Sequence, residues 1–166
     1  MKRRDFLVFG TGVALSSCLH AEALNRLEKE YAEVEGVIAA VQAHMFPPGA
    51  VLPSAEEMQL SIFVLQTIAH KSFDRDIRRF VIEGARELEQ REKGKFLSSS
   101  SVQKEEALRQ YEACEYGRSW LSRILTLSME GLFSDPIYGA NIREKGWKAL
   151  GVQGGLPGAQ KRYIYG

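Results

Sequence analysis

The chain is poor in the residues that most often carry chemistry. Of its 166 residues, two are cysteine and three are histidine. Two cysteines cannot build a disulfide-dense scaffold or a zinc ribbon, and three histidines leave little for a metal site. An excess of either charge is also missing. Twenty-two basic and 21 acidic residues leave a net charge of +1, so there is no basic field to attract nucleic acid, and no nucleic-acid partner is expected. Cys-x-x-Cys-His is absent, which excludes covalently attached c-type haem. No Gly-x-Gly-x-x-Gly follows a strand, and Gly-x-Ser-x-Gly does not occur. Gly154-Gly155-Leu156-Pro157-Gly158 is glycine-rich but has neither a preceding strand nor a lysine for phosphate. No segment alternates with period two between hairpin turns, so strands are not expected. These gaps assign no catalytic residue, no metal ligand and no cofactor to this chain. What remains has the size of one domain and, at 45% hydrophobic and 26% charged residues, the composition of a folded one.

The first residues read as an address. A basic head, Met1-Lys2-Arg3-Arg4, precedes an apolar run from Phe6 to Leu15 that Gly10, Thr11 and Gly12 interrupt. That run is too short for a bilayer, which takes about 20 apolar residues, and its order of parts is that of a signal peptide. Arg3-Arg4-Asp5-Phe6-Leu7 resembles the twin-arginine export signal, with Arg3, Arg4, Phe6 and Leu7 as its matching positions. Such a signal carries already folded proteins across the membrane and implies the twin-arginine translocase as a partner. Leu15-Ser16-Ser17-Cys18 resembles a lipobox. Cleavage there would leave Cys18 as the first mature residue, lipid-anchored to the membrane. Ordinary cleavage near Ala21-Glu22-Ala23 is the alternative. Residues 1–17 are therefore set apart as signal, and 18–166 as a single helical domain in the periplasm. Losing the signal moves the net charge from +1 to −1.

The middle reads as helices. Leu24, Leu27, Tyr31, Val34, Val37, Ile38 and Val41 recur at spacings of three and four, which predicts one helix from about Ala23 to Ala43. Pro47-Pro48-Gly49 stops it. Ser54 and Glu57 have capping-box spacing, and Met58, Ile62, Leu65 and Ala69 then line a stripe with Phe63 and Ile68 beside it. Asp74 caps a helix that buries Ile77, Phe80, Val81, Ala85 and Leu88, with Gly94 as its stop. Its arginines alternate with acids, a solvated, salt-bridged face. Ser100 and Gln103 form a second capping box ahead of a helix from Val102 to about Tyr116 that buries Ala107, Leu108, Tyr111 and Cys114. Gly117 breaks it. Trp120, Leu121, Ile124, Leu125, Leu127 and Leu132 form the most apolar helix, the expected centre of the bundle. The fold class is all-α: about five helices, then a long irregular segment over 133–166.

That segment reads Phe133-Ser134-Asp135-Pro136-Ile137-Tyr138-Gly139-Ala140-Asn141, then Gly146-Trp147-Lys148-Ala149-Leu150-Gly151, and ends Tyr163-Ile164-Tyr165-Gly166. Its glycines and prolines exclude a continuous helix, and its aromatics need a surface to pack on. Together with the twin-arginine start and the His44-Met45-Phe46-Pro47-Pro48-Gly49 turn, these motifs resemble the gluconate 2-dehydrogenase subunit 3 family. The family's motif reads Tyr-Gly-Gly-Asn, whereas Ala140 here replaces the second glycine. An alanine would pay a penalty if that position needed a positive φ. The resemblance implies a non-catalytic small subunit of a membrane-associated dehydrogenase of sugars or sugar acids. It implies a flavoprotein large subunit that holds FAD, a multihaem cytochrome c subunit as electron acceptor, and a role for this chain in maturing and exporting the large subunit.

The matching residues include Phe133, Asp135, Tyr138, Asn141 and Trp147. With Tyr163 and Tyr165 they are the candidate partner-binding residues, because Trp and Tyr are enriched as interface anchors. Phe133 and Tyr138 are expected inward, the terminal tyrosines outward, and Trp147 either way. Asp135 before Pro136 is expected to fix a turn. His44 is expected to hydrogen-bond the Pro47–Gly49 turn, His70 to sit at a helix C-terminus, and Cys114 to be a buried thiol or, less favoured, to pair with Cys18. The competing reading is a free-standing periplasmic enzyme or ligand-binding domain with one pocket near His44, Asp135 and Trp147.

Overall fold

The computed structural model describes residue 22 and residues 24–155. The signal positions Arg3, Arg4, Phe6 and Leu7, the lipidation candidate Cys18, and Tyr163 and Tyr165 lie outside the described residues. Among the described residues every regular element is helical: α1 (24–32), α2 (Glu35–Met45), α3 (Leu60–Ala69), α4 (Arg75–Arg91), α5 (Ser101–Glu112), α6 (Glu115–Phe133) and the short α7 (Lys145–Ala149). Two one-turn 3₁₀ helices, Pro136–Tyr138 and Ile142–Glu144, precede α7.

The single helix predicted over 23–43 is two. The chain turns at residues 33–34: Val34 (φ −117°, ψ −8°) bonds the Tyr31 carbonyl through its N–H at 2.9 Å, a three-residue closure. The break does not interrupt the apolar stripe. Leu27, Tyr31, Val34, Val37, Ile38 and Val41 are all buried. Tyr31 also donates its hydroxyl to the Ser61 carbonyl at 2.7 Å, tying α1 to α3.

The second stripe was predicted out of phase. Ser54 Oγ accepts from the Glu57 N–H at 3.2 Å, but the turn it caps does not run into α3. Gln59 is left-handed (φ 54°, ψ 42°), and α3 starts at Leu60. That reversal resets the helical phase. Beyond it Leu60, Phe63, Val64 and Ile68 are buried, whereas Ile62 is exposed and Leu65 and Ala69 are half-buried.

The caps of α4 and α5 form as the sequence indicates. Asp74 Oδ1 accepts from the N–H groups of Asp76 (2.8 Å) and Ile77 (2.9 Å). Ser100 and Gln103 close the reciprocal capping box. α4 buries Val81, Ile82, Gly84, Ala85 and Leu88, with Ile77 and Phe80 at the margin. α5 ends at Glu112, earlier than Tyr116. The boundary is Cys114, whose Sγ accepts from the Gly117 N–H at 3.3 Å and so caps α6. The thiol is half-buried rather than buried, and Gly117 lies inside the first turn of α6 instead of breaking a helix.

α6 packs against α2, α3, α4 and α5 and is the centre of the bundle. Trp120, Leu121, Ile124, Leu127 and Leu132 are buried, and Leu125 is exposed. Each fully buried aliphatic side chain contributes roughly 1.5–3 kcal/mol. Trp120 lies against Gly84: a Cβ built there would stand 2.0 Å from the indole Cδ1. The indole N–H donates to the Val81 carbonyl at 2.9 Å, and the Tyr111 hydroxyl donates to the Gly84 carbonyl at 3.0 Å. A pair of polar side chains also meets in the interior: Gln42 Nε2 donates to Ser128 Oγ at 2.9 Å, joining α2 to α6.

Candidate functional site

A helix end leaves its last carbonyls without intrahelical donors. At the C-terminus of α6 the following residues supply them from outside the helix. Trp147 Nε1 donates to the Phe133 carbonyl at 2.8 Å. Asn141 Nδ2 donates to the Ser134 carbonyl at 2.8 Å, and Asn141 Oδ1 accepts from the Gly146 N–H at 2.8 Å. Ser134 Oγ reaches back to the Gly131 carbonyl at 3.1 Å. These donors also face the negative end of the helix dipole. Asn141 is fully buried, and Gly146 packs so closely that a Cβ there would stand 2.0 Å from the Leu132 carbonyl oxygen.

Turn chemistry delivers these side chains. Asp135 Oδ1 accepts from the Ile137 N–H at 3.0 Å and starts the first 3₁₀ turn, as a residue before Pro136 is suited to do. Within 133–141 the left-handed positions fall on Gly139 (φ 90°) and Asn141 (φ 49°), two residue types that tolerate them, and Arg143 (φ 57°) and Glu144 (φ 61°) follow in the same region. Ala140 is not left-handed, so the alanine carries no positive-φ penalty.

The Pro-Pro-Gly turn meets this clasp. The Ala55 N–H closes the loop on the Phe46 carbonyl at 3.1 Å. Phe46, Ala55, Met58 and Leu60 then form a second small core with Leu132, against which Leu52, Phe133 and Ile142 pack. Lys145 pairs with Glu57 across the junction. Two grooves flank it. One, of about 710 Å³, runs between Asp135, Pro136, Glu144, Trp147, Lys148 and residues 151–155. The other, of about 330 Å³, lies between the 48–54 loop and Lys145, Lys148 and Ala149. Three apolar side chains at this end face solvent: Val51 (84% exposed), Leu150 (55%) and Val152 (48%). Val51 lines the smaller groove and Val152 the larger one; single exposed apolar residues are ordinary on a protein surface.

The structure thus brings Phe133, Asp135, Asn141 and Trp147 together and half-buries Phe133, Tyr138 and Trp147. It does not bring His44 to Asp135 and Trp147. His44 lines a different groove with Met45, Glu105, Arg109, Leu121 and Leu125. Its Nε2 pairs with Glu105 instead of the Pro47–Gly49 turn, so no pocket near all three residues forms among the described residues. The hydrogen bond from His44, and then that from Arg109 (2.7 Å), hold the Glu105 carboxyl below the usual range. His70 does stand at the C-terminus of α3, with Nδ1 at 2.7 Å from Ser72 Oγ.

Among the described residues no group of three His, Cys, Asp or Glu side chains is placed to hold a metal ion, and no helix is long and apolar enough to cross a membrane. Val51, Lys148, Leu150 and Val152 were not singled out by the sequence.

No curated protein and no solved structure matches the chain. The model of one family, gluconate 2-dehydrogenase subunit 3, matches residues 32–155. That span takes in the Pro-Pro-Gly turn, the end of α6 and the Asn141–Trp147 clasp, together with most of the bundle that holds them. The chain belongs to the gluconate 2-dehydrogenase subunit 3 family, and so is a small subunit of a dehydrogenase complex.

Proposed function

We propose that this chain is the non-catalytic accessory subunit of a periplasmic, FAD-dependent dehydrogenase of sugars or sugar acids. It accompanies the flavoprotein large subunit through maturation and supplies the twin-arginine signal on which both are exported. FAD resides in the large subunit, and a multihaem cytochrome c takes the electrons. Cys18, once lipidated, tethers the assembly to the membrane.

One observation carries the reading. The family's two motif segments meet at one end of the bundle, and there the polar atoms of Asn141, the indole N–H of Trp147 and Asp135 Oδ1 are spent on backbone groups. Such a construction fixes a shape. Around it stand Val51, Leu150, Val152 and two grooves, a surface suited to a partner. Anchors ordered beforehand lose less entropy on binding.

The test is co-expression with the flavoprotein subunit. With the wild-type chain both proteins should reach the periplasm and co-purify. Replacing Arg3 and Arg4 by lysine keeps the charge and should leave both in the cytoplasm. Undiminished export of the flavoprotein beside that double variant would overturn the escort role. Radiolabelled palmitate should enter the wild type and not Cys18→Ser. The chain purified alone should carry no flavin band and oxidise no sugar with an artificial acceptor; turnover would favour a free-standing enzyme.

A further inference from the structure

Half of the arginines among the described residues line one groove. Arg26 on α1 and Arg75, Arg78, Arg79 and Arg86 on α4 surround a space of about 460 Å³, and no lysine stands among them. Only two acids, Glu30 and Glu83, line it as well. Three of the arginines fall within the first five residues of α4, the end of a helix that disfavours cations, and Arg75 and Arg79 are a like-charged pair one turn apart. The buried face of α4 is made by Val81, Ile82, Ala85 and Leu88; Arg75 and Arg79 are exposed and add nothing to it.

The charges here can be followed one by one. Arg26 Nε donates to Glu30 at 2.8 Å, and Arg86 Nη2 donates to Glu33 at 2.8 Å. Arg78 is pinned by the C-terminal end of α3. Its guanidinium donates to the Ile68 carbonyl and, at 3.0 Å, to the His70 carbonyl, so its charge is held in place by groups that do not cancel it. Arg79 reaches Asp76 only at 3.8 Å, and Arg75 has no partner among the described residues. One fixed and two exposed guanidinium groups thus line the groove together. The groove also has a definite place in the fold. Leu60, at the start of α3, belongs to the small core beside the clasp, whereas Ile68 and His70, at its end, hold Arg78. Arg26 lies in the first turn of α1, and Cys18 precedes Leu24 by six residues, which span at most about 22 Å.

We infer that this groove binds the phosphate of an anionic phospholipid headgroup and so sets which face of the domain meets the membrane. The choice of a lipid over another phosphate rests on the proposed anchoring at Cys18. A guanidinium binds phosphate oxygens in a bidentate, geometry-selective way, which a cluster of arginines without lysine is suited to do. A lipid at Cys18 fixes one point within reach of the groove, but it does not fix orientation. Stable anchoring takes a second signal beside one lipid chain, and a basic patch is such a signal. With the groove against the membrane, the clasp at the other end of α3 points away from it and stays open to a partner.

The experiment measures co-flotation of the full-length Cys18→Ser chain, which cannot be lipidated, with vesicles of phosphatidylcholine alone or equimolar with phosphatidylglycerol, at low and at moderate salt. Every variant keeps residues 1–17, so their contribution is common to all. The chain should bind the phosphatidylglycerol vesicles, and salt should weaken the binding. Arg75→Gln combined with Arg79→Gln should weaken it by about tenfold or more at low salt, while Tm stays within about 2 °C. Lys93→Gln combined with Lys95→Gln makes the same charge change just past the other end of α4 and should have little effect. Equal losses in the two double variants would reduce the effect to net charge and overturn the inference. A larger fall in Tm for the arginine variant would overturn it by making the arginines structural. Inorganic phosphate that releases the chain more than chloride at equal ionic strength, and raises Tm only when Arg75 and Arg79 are present, would make the ligand a free anion and overturn the lipid assignment. Undiminished vesicle binding with lost association to the flavoprotein subunit would overturn it too, by making the groove a protein interface. Palmitate labelling of the wild type is read separately. Label at Cys18 without arginine-dependent binding sinks this inference alone, and arginine-dependent binding without label sinks the anchor alone.

Discussion

The indole of Trp120 occupies the space that Gly84 leaves open on α4, with ring atoms where a glycine-to-alanine change would put a methyl group. Because Trp120 is also held by its hydrogen bond to Val81, it cannot swing aside without losing a buried polar contact. Gly84→Ala is expected to cost about 1–3 kcal/mol, the range for overpacking a rigid core, as read by denaturant unfolding. Gly155→Ala meets nothing within 4 Å and serves as a control that should stay within about 0.5 kcal/mol.

Asn141→Ala removes the acceptor for the Gly146 N–H and the donor for the Ser134 carbonyl, and it places a methyl-bearing residue at φ 49°. A loss of about 3 kcal/mol is expected, since each buried group left unpaired costs about 1–3 kcal/mol. Asn141→Gly loses the same bonds without the backbone penalty, and should be milder by about 1 kcal/mol. Equal losses in the two variants would mean that Asn141 carries no strain.

Two carboxylates should leave opposite signatures in stability against pH. Glu105 is held below the usual range by His44 and then by Arg109. Its stabilising contribution is present above the ordinary glutamate pKa of about 4.3 and is lost as pH falls through the lowered value. Glu89 is pushed upward by burial and then by Glu92, and its Oε2 is buried without a hydrogen-bond partner. The folded state there favours the protonated acid, so that contribution is present below the ordinary pKa and is lost as pH rises through the raised one. Glu105→Gln should therefore be the less stable variant at neutral pH and converge on wild type in acid. Glu89→Gln should be the more stable one at neutral pH and likewise converge in acid. Urea titrations from pH 3 to 7 check both signs.

The parts of this fold legible in the sequence are those fixed by local chemistry. Asp74 and the Ser100–Gln103 pair mark helix starts because a short polar side chain satisfies its own neighbours' N–H groups. The stripes of α1–α2 and α6 follow from spacing alone. The parts that were not legible depend on single backbone reversals or on distant contacts. Gln59 turns left-handed with no glycine to announce it, and one such residue shifted the phase of all of α3. Cys114 ends a helix by capping the next, a role usually read from serine or aspartate. At the candidate site the motif residues were visible as types. Which carbonyl each would reach was not, because the acceptors are backbone atoms that every residue shares.

Trp147 joins both halves of the partner question. Its N–H is committed to Phe133, while its ring is half-exposed in the groove against Gly154. Trp147→Phe should chiefly lose the hydrogen bond and cost about 1 kcal/mol of stability. Trp147→Ala should also weaken association with the flavoprotein subunit, by about 2 kcal/mol or more for an interface anchor. Deleting residues 154–166 should leave far-ultraviolet circular dichroism largely helical and weaken the same association. Loss of helical signal would make the segment part of the core, and intact folding with full binding would sink the docking reading.

The clasp at the end of α6 is short in sequence as well as tight in space. Asn141 reaches back seven residues and Trp147 fourteen, whereas the Gln42–Ser128 and His44–Glu105 contacts span 86 and 61. Loop-closure entropy grows with the length of chain enclosed, so these bonds form at little cost once the last turns of α6 exist. The C-terminal platform and its helix then behave as one cooperative unit that matures early, and amide protons there should exchange with α6 rather than with α1. A chain that closes this end before its longest contacts has its C-terminal platform in place while the rest of the bundle is still settling.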